Sequence, residues 1–416
     1  MKRALSFGPA ALLLALAACA ASPSIASAPA PAQTAAEQPR VLPGIDVLLR
    51  DVPEVLEGKR VGLITNRTGV DSRGRSDIDL LAALPDFQLV ALFGPEHGLR
   101  GEAAPGEQVA SSRDEKTGLP IYSLYGDTRQ PTPEMLAGVD ALVFDIQDVG
   151  VRQYTYISTM ALGMKAAAEK GIPFVVLDRP NPIGGEIIEG NILEPRFESF
   201  IGIYPLPVRH GMTVGELARL FNDRFGIHAD LTVVPMQGWT RSTWYDETGL
   251  PWVNPSPNIR SLAAATDYPG TVFLETTNLS EGRGTDRPFE QTGAPWLRTD
   301  EVADSMNAMN LPGIRFTPVQ LQVEKDAAKY GGETMPGVRF VITDREAYRP
   351  VRTTLLLIDL VRRLHPDHFR LRNVERHAGT AKLEPAMLNG RLPELLDEWD
   401  RDSEAFRKIR EEYLLY

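Results

Sequence analysis

The sequence predicts an α/β protein: a mainly parallel sheet with helices on both faces, followed by a smaller α+β domain at the C-terminal end. Three observations lead there. From Gly44 onward, short apolar runs alternate with longer segments whose apolar residues recur at spacings of three and four. Nearly continuous apolar runs separated by helix-length stretches are what a parallel sheet with crossover helices requires. From about Pro255 that alternation gives way to the loop Pro255-Ser256-Pro257-Asn258 and, further on, a long polar stretch.

In chain order, strands are expected at residues 60–65, 88–93, 121–125, 141–146, 173–177 and 231–235. Helices are expected between them at 77–84, 155–170 and 214–225; the last two carry the clearest amphipathic spacing. Beyond Pro255 the expectation is a strand at 271–275, then a polar loop to about Trp296 and a helix at 299–309. Strands at 314–323 and 337–343 and a helix at 350–364 follow. The predicted domains are therefore 43–254 and 255–416.

The segment before them has a different character. Met1-Lys2-Arg3 is a short positive start, and the apolar stretch 10–18 is too short to cross a bilayer, so it reads as an export signal. It ends in Leu16-Ala17-Ala18-Cys19, which resembles a bacterial lipobox with cleavage after residue 18 and lipid on Cys19. The plainer alternative is an ordinary secretory signal with an incidental cysteine. Cys19 is the only cysteine of the chain, and its placement favours lipidation. Residues 19–42 then form the lipidated end and an Ala/Pro/Ser-rich tether. Ala20 stands where aspartate often signals inner-membrane retention, so an outer-membrane anchor facing the periplasm is expected.

Several function classes are disfavoured. One cysteine allows no intramolecular disulfide and no cysteine-based metal site. A formal charge of −11 without a Lys/Arg-rich run argues against a nucleic-acid partner. The six histidines show no H-x-x-x-H spacing, which argues against zinc. Neither a Walker loop nor G-x-G-x-x-G after the first strand is present, so no nucleotide cofactor is expected. An Asp-rich Mg²⁺ or Ca²⁺ site around Asp145 and Asp148 stays open, although no metal or cofactor is the working expectation.

Ligands of open α/β sheets bind beyond the carboxyl ends of the strands, and polar residues collect there. Four strand ends carry Thr65-Asn66, Glu96-His97, Asp145 with Gln147-Asp148 and Arg152, and Asp178-Arg179-Pro180-Asn181. Each has a bland reading as a capped turn, an Asp–Arg pair or a structural corner. Their coincidence at one edge points instead to a polar floor for a sugar. The loop Asn278-Leu279-Ser280-Glu281-Gly282-Arg283-Gly284-Thr285 is either a surface loop or a clamp, with Arg283 on a substrate carboxylate. His210 is a further candidate, and Trp239, Trp244, Tyr245 and Trp252 are either packing residues or sugar platforms.

Six strings carry a family resemblance: Gly62-Leu63-Ile64-Thr65-Asn66, Phe93-Gly94-Pro95-Glu96-His97-Gly98, Asp145-Ile146-Gln147-Asp148-Val149-Gly150, Leu177-Asp178-Arg179-Pro180-Asn181-Pro182, Arg209-His210-Gly211-Met212-Thr213 and Ser280-Glu281-Gly282-Arg283-Gly284-Thr285. They resemble those of the NamZ exo-β-N-acetylmuramidases from about Gly44 to Tyr416. The resemblance implies a Rossmann-like first domain, with the smaller second domain closing an active-site cleft. It also implies release of N-acetylmuramic acid (MurNAc) from non-reducing ends of peptidoglycan fragments such as MurNAc–GlcNAc. Glu96 is then the leading catalytic candidate, as proton donor to the leaving oxygen. His97 tunes it or contacts substrate, and Asp148, Asp178 or Glu281 is the second group unless the substrate's own 2-acetamido group attacks. Asn66, Asp145, Arg152, Asp178, Arg179, Asn181, His210 and Arg283 are the expected substrate contacts. Arg283 or Arg179 would meet the lactyl carboxylate. A competing reading from another class is a non-catalytic periplasmic lipoprotein that binds muropeptides and leaves them intact. An enzyme of nucleotide sugars or phosphosugars is disfavoured by the missing phosphate fingerprints and the expected export.

Overall fold

The sheet is built outward from one strand. In a computed structural model describing residues 40–96, 98–99 and 112–416, β1 (Arg60–Thr65) is buried from Val61 onward. A strand buried on both faces in this way needs cover on both faces and partners on both edges. It pairs in parallel with β2 (Gln88–Gly94) on one side and β5 (Ala141–Asp145) on the other. Adding β3 (Ser112–Arg113), β4 (Pro120–Ser123), β6 (Phe174–Leu177) and β7 (Leu231–Val234) gives the order β3-β4-β2-β1-β5-β6-β7. Only β3 runs antiparallel to its neighbour. The chain turns outward in opposite directions from β1, so the strand order reverses there, and the crevice beyond β1, β2 and β5 is where such sheets bind ligands. The expected signal segment, Cys19 and the tether as far as residue 39, as well as His97, lie outside the described residues. The last three residues assigned to the tether, 40–42, pack on the fold, with Val41 buried and the Leu42 amide donating to the Gln237 carbonyl at 2.9 Å.

Helices α1 (Gly44–Leu48) and α2 (Asp77–Ala82) cover one face, over a core of Ile45, Leu63, Leu81 and Val143. Helices α3 (Tyr156–Lys170) and α4 (Val214–Arg224) lie on the large core formed by Ile64, Phe144, Met160 and Phe221. Gly171 ends α3 in the left-handed conformation at φ +71°. A reciprocal capping box between Thr213 and Glu216 starts α4.

The later part holds α5 (Leu262–Thr271), β8 (Gln291–Gly293), α6 (Thr299–Ala308), β9 (Ile314–Gln322), β10 (Thr334–Ile342) and α7 (Pro350–Leu364). Its antiparallel sheet has the order β8-β10-β9. Helices α8 (Val374–Ala378), α9 (Leu383–Leu388) and α10 (Leu392–Arg410) finish the chain. The large core continues without a break from Phe144 through Phe273, Phe316 and Val338 to Phe406. One expectation is corrected here: residues 271–275 are not a strand. They continue α5 into the 3₁₀ helix Val272–Thr276. Val272, Phe273 and Leu274 are consecutive and all buried, so the segment shows a strand-like apolar run instead of helical spacing.

Long-range ties join the later helices to the first sheet. Arg410 donates from Nη1 to the carbonyls of Gly185 (2.8 Å) and Gly211 (2.6 Å). The Tyr416 hydroxyl donates to Asp178 (2.8 Å) and accepts from the Met236 amide (2.7 Å).

Glu189 is a buried carboxyl in the connection after β6. One oxygen accepts from the Arg352 amide at 2.8 Å, and Oε2 has no donor among the described residues. Burial pushes this carboxyl up to about 7, against the opposing pull of that amide and the Arg209 charge. The folded state therefore holds a proton between about pH 4.5 and 7 that the unfolded chain releases. Its contribution is complete below the unfolded value and is lost as the pH rises through the folded one. The shift corresponds to roughly 3 kcal/mol. Urea titrations from pH 4.5 to 8 should show stability falling with pH in the native protein and a flatter profile in Glu189→Gln. An unchanged slope in the variant would remove Glu189 as its source.

Candidate active site

Beyond β2 the chain turns at Pro95, and Glu96 points into a cavity of about 520 Å³. The turn places its carboxylate against the start of α3, where the Thr155 hydroxyl donates to Glu96 Oε2 at 2.7 Å. The Tyr125 hydroxyl also bonds to Glu96; burial first, then this carboxylate's charge and hydrogen bond, raise the phenol's pKa.

Next to Glu96 the cavity is walled by phenols. Tyr154 stands edge-on to Tyr156 (4.9 Å between centroids) and to Tyr268 (5.7 Å). Tyr268 in turn meets Phe289 edge-on at 4.8 Å. Burial raises the pKa of all three tyrosines, so they stay neutral and keep their hydroxyl hydrogens. Neutral hydroxyls beside aromatic faces suit a sugar, whose own hydroxyls and C–H faces alternate.

The facing wall is an ion-pair chain. Arg283 Nη2 meets Glu275 Oε1 at 2.5 Å, its Nε lies 3.3 Å from Glu281 Oε1, and Lys329 Nζ reaches Glu281 Oε2 at 2.8 Å. His377 Nε2 approaches Glu275 Oε2 at 3.4 Å. Burial alone would raise Glu275, but His377 and Arg283 together hold its carboxyl down at about 2. The loop that carries Glu281 and Arg283 is packed rather than free. Gly282 takes φ +80°, where a Cβ would stand 2.9 Å from the Arg287 carbonyl. The Thr285 hydroxyl donates to the Gly282 carbonyl at 2.6 Å.

Of the residues singled out in the sequence, Glu96, Glu281 and Arg283 line this cavity. His97 lies outside the described residues. Asp148 and Asn66 sit behind the tyrosines. Asp148 Oδ2 accepts from the Gly150 amide at 2.6 Å, and Asn66 Oδ1 accepts from the Thr68 amide at 2.9 Å. His210 is buried beside them, with Nδ1 accepting from the Met212 amide at 3.2 Å and Nε2 3.7 Å from Asp148.

The remaining expected substrate contacts are each engaged by partners within the fold. Asp145 and Arg179 form a buried bidentate pair at 2.5 and 2.8 Å, with Arg179 also donating to the Val70 carbonyl at 2.9 Å. Arg179 thereby occupies both Asp145 oxygens, which leaves that carboxylate unsuited to Mg²⁺ or Ca²⁺. Asp178 accepts from the Thr213 hydroxyl, the Gly215 amide and the Tyr416 hydroxyl, each at 2.8 Å, and so anchors α4. Asn181 donates to the Met212 carbonyl (3.0 Å) directly beneath Gly150, where a Cβ would lie 2.4 Å from its Oδ1. Arg152 donates to the carbonyls of Asn191 (2.9 Å), Leu206 (2.7 Å) and Ala378 (2.7 Å). Trp239, Trp244, Tyr245 and Trp252 pack elsewhere; Trp244 Nε1 bonds Glu346 and Tyr245 stacks edge-on against Trp252. Among the described residues no group of three or more His, Cys, Asp or Glu is arranged to hold a metal ion.

The sequence reading missed Tyr125, Arg129, Tyr154, Tyr156, Tyr268, Glu275 and His377, all of which line the cavity. A signal existed for two of them. Tyr154 and Tyr156 follow Arg152 at the strand-end loop, two residues apart, where the chain enters a helix.

Two family models match the chain: one described as the N-terminal part of exo-β-N-acetylmuramidase NamZ at residues 61–263, the other as its C-terminal part at 266–416. The peptidoglycan β-N-acetylmuramidase NamZ of Bacillus subtilis (strain 168) is 48% identical over 385 residues, covering 92% of each chain. Two crystal structures of DUF1343 family proteins from Bacteroides fragilis NCTC 9343 share the fold. One has a TM-score of 0.85 at 39% identity and covers 91% of this chain and 100% of its own. The other has a TM-score of 0.71 at 32% identity and covers 90% and 99%.

Proposed function

Since the chain belongs to the exo-β-N-acetylmuramidase NamZ family, we propose that its Glu96 cavity is where a terminal MurNAc is cut from peptidoglycan fragments. The chain is a glycosidase that releases N-acetylmuramic acid from non-reducing ends. The observation that carries the site assignment is the meeting of Glu96, a wall of neutral phenols and an ion-paired carboxylate wall in one cavity.

In this reading Glu96 protonates the leaving glycosidic oxygen, with Thr155 and Tyr125 fixing its carboxyl. Glu281, one of two further carboxylates of the cavity beside Glu275, takes the second role. Arg283 and Lys329 hold it in place through ion pairs, which suits it to orient the 2-acetamido group or to stabilise positive charge growing at the anomeric carbon. If the acetamido group is itself the nucleophile, no second protein nucleophile is needed. No cofactor enters any step.

Its substrates are peptidoglycan-derived saccharides such as MurNAc–GlcNAc. The positive start, the short apolar stretch and Cys19 support export and lipid anchoring in the cell envelope, with the enzyme facing the periplasm. Loss of membrane association in Cys19→Ala is the expected result of cell fractionation; unchanged association would remove the anchor.

The reaction is tested by incubating the chain from residue 40 with MurNAc–GlcNAc and following products by mass spectrometry. Free MurNAc and GlcNAc are expected. Recovery of intact disaccharide would overturn the proposal.

A further inference from the structure

MurNAc differs from its glucosamine counterpart by a lactyl ether whose carboxylate is anionic at neutral pH. If this cavity is where MurNAc binds, selectivity for that sugar calls for a cation at the cavity that no protein carboxylate already neutralises. Arg179 is removed by its pairing with Asp145 inside the fold. Arg283 lies in the cavity but is held between Glu275 and Glu281, so a third carboxylate would have to displace one of them.

Two further arginines line the cavity, Arg129 and Arg376. Both are exposed, but on the short α8 no ion pair or ring contact among the described residues fixes the Arg376 guanidinium. Arg129 is fixed. Its guanidinium lies 4.2 Å from the Phe200 ring centroid and 5.4 Å from that of Tyr125. Those rings are themselves held: they meet at 6.0 Å, and the Phe200 carbonyl accepts from the Ser158 hydroxyl on α3 at 2.8 Å. The turn that carries Arg129 is closed by the Thr128 hydroxyl, which donates to the Gln130 carbonyl (2.7 Å) and accepts from its amide (3.1 Å).

Stacking on aromatic faces orients a guanidinium and leaves its edge N–H groups free, the geometry that binds a carboxylate through two parallel hydrogen bonds. Among the described residues no carboxylate lies within ion-pair distance of Arg129. Tyr125 links the two functions, since its ring touches Arg129 while its hydroxyl bonds Glu96. Arg129 thus stands one ring away from the proposed acid.

We propose that Arg129 receives the lactyl carboxylate of MurNAc and is the residue that selects this sugar. The inference rests on the glycosidase reading of the same cavity. It is tested on the full-length protein by calorimetric binding of free MurNAc and of its lactyl amide, which has the same shape without the charge. Wild type should bind MurNAc about tenfold or more tightly than the amide, the range expected for a charge-assisted contact. Arg129→Gln should erase that ratio and leave affinity for the amide within about twofold, whereas Arg376→Gln should keep the ratio. A preserved ratio in Arg129→Gln, or its loss only in Arg376→Gln, would overturn the proposal. Because product binding is measured, the outcome is separate from turnover; failure to cleave MurNAc–GlcNAc would count against the glycosidase reading instead.

Discussion

Replacing Glu96 by Gln is expected to lower kcat on MurNAc–GlcNAc by roughly 10²–10⁴-fold, the usual range for losing a general acid. The amide is nearly isosteric, and its oxygen can still accept from Thr155, whose hydroxyl now bonds Oε2 at 2.7 Å. Folding and substrate binding should therefore be almost unchanged, and the loss should fall on kcat rather than KM. What disappears is the transferable proton. Glu96→Asp separates proton from position: it keeps an acid but withdraws it by one methylene, and should fall between wild type and the Gln variant. Near-normal turnover in a folded Glu96→Gln protein would show that the proton comes from elsewhere.

The second large effect concerns stability. Arg179→Met should destabilise the fold by about 3–5 kcal/mol, the cost of leaving a buried charge without its partner. Arg179 faces two buried acids, since Asp77 lies beside Asp145 and shares the Thr65 side chain with it. Burial, then the neighbouring Asp145, raise Asp77 well above the usual carboxylate range, which favours its neutral form, while Arg179 pairs directly with Asp145. Adding Asp145→Asn to Arg179→Met should recover part of the loss, because the uncompensated charge is then gone. Denaturant melts check both variants. Whatever Arg179→Met protein remains folded should cleave with normal kcat and KM. A stable variant with a raised KM would return Arg179 to the substrate site.

The contrast between Arg179 and Arg283 marks how far the sequence could be read. Both are arginines at the end of a motif, and nothing local distinguishes them. Arg179 follows a strand buried on every side and turns inward to Asp145, 34 residues earlier; Arg283 sits on a glycine-turned loop facing the cavity. Only the tertiary partner separates scaffold from site. Strands β1, β2, β5 and β6 were legible because buried parallel strands are continuous apolar runs. The same rule misled at residues 271–275, where the buried residues Val272, Phe273 and Leu274 of a 3₁₀ helix also form a continuous apolar run. Helix α10 was missed although Leu392, Leu395, Leu396, Trp399 and Phe406 mark its buried face. Glu96 stood out through the family resemblance and through its place among the polar strand ends, since Gly-Pro-Glu-His-Gly alone reads as a capped turn. The tyrosines beside it did not, since an aromatic side chain reads as core until its hydroxyl is seen to face a cavity.

The hydrogen bonds of Arg152 bear on the order of events as the chain folds. Its guanidinium can complete its bonds only when the carbonyl of Ala378, 226 residues further along, has arrived. Its Asn191 and Leu206 carbonyls come much earlier. Even the central strand must wait, because Thr65 pairs with Asp145 across eighty residues. Closing loops of this length costs entropy before any contact repays it, so folding should be slow compared with helical proteins of local topology. The His377 wall joins last, and the newly made protein is expected to pass through a period with its sheet assembled and its cavity still open on one side.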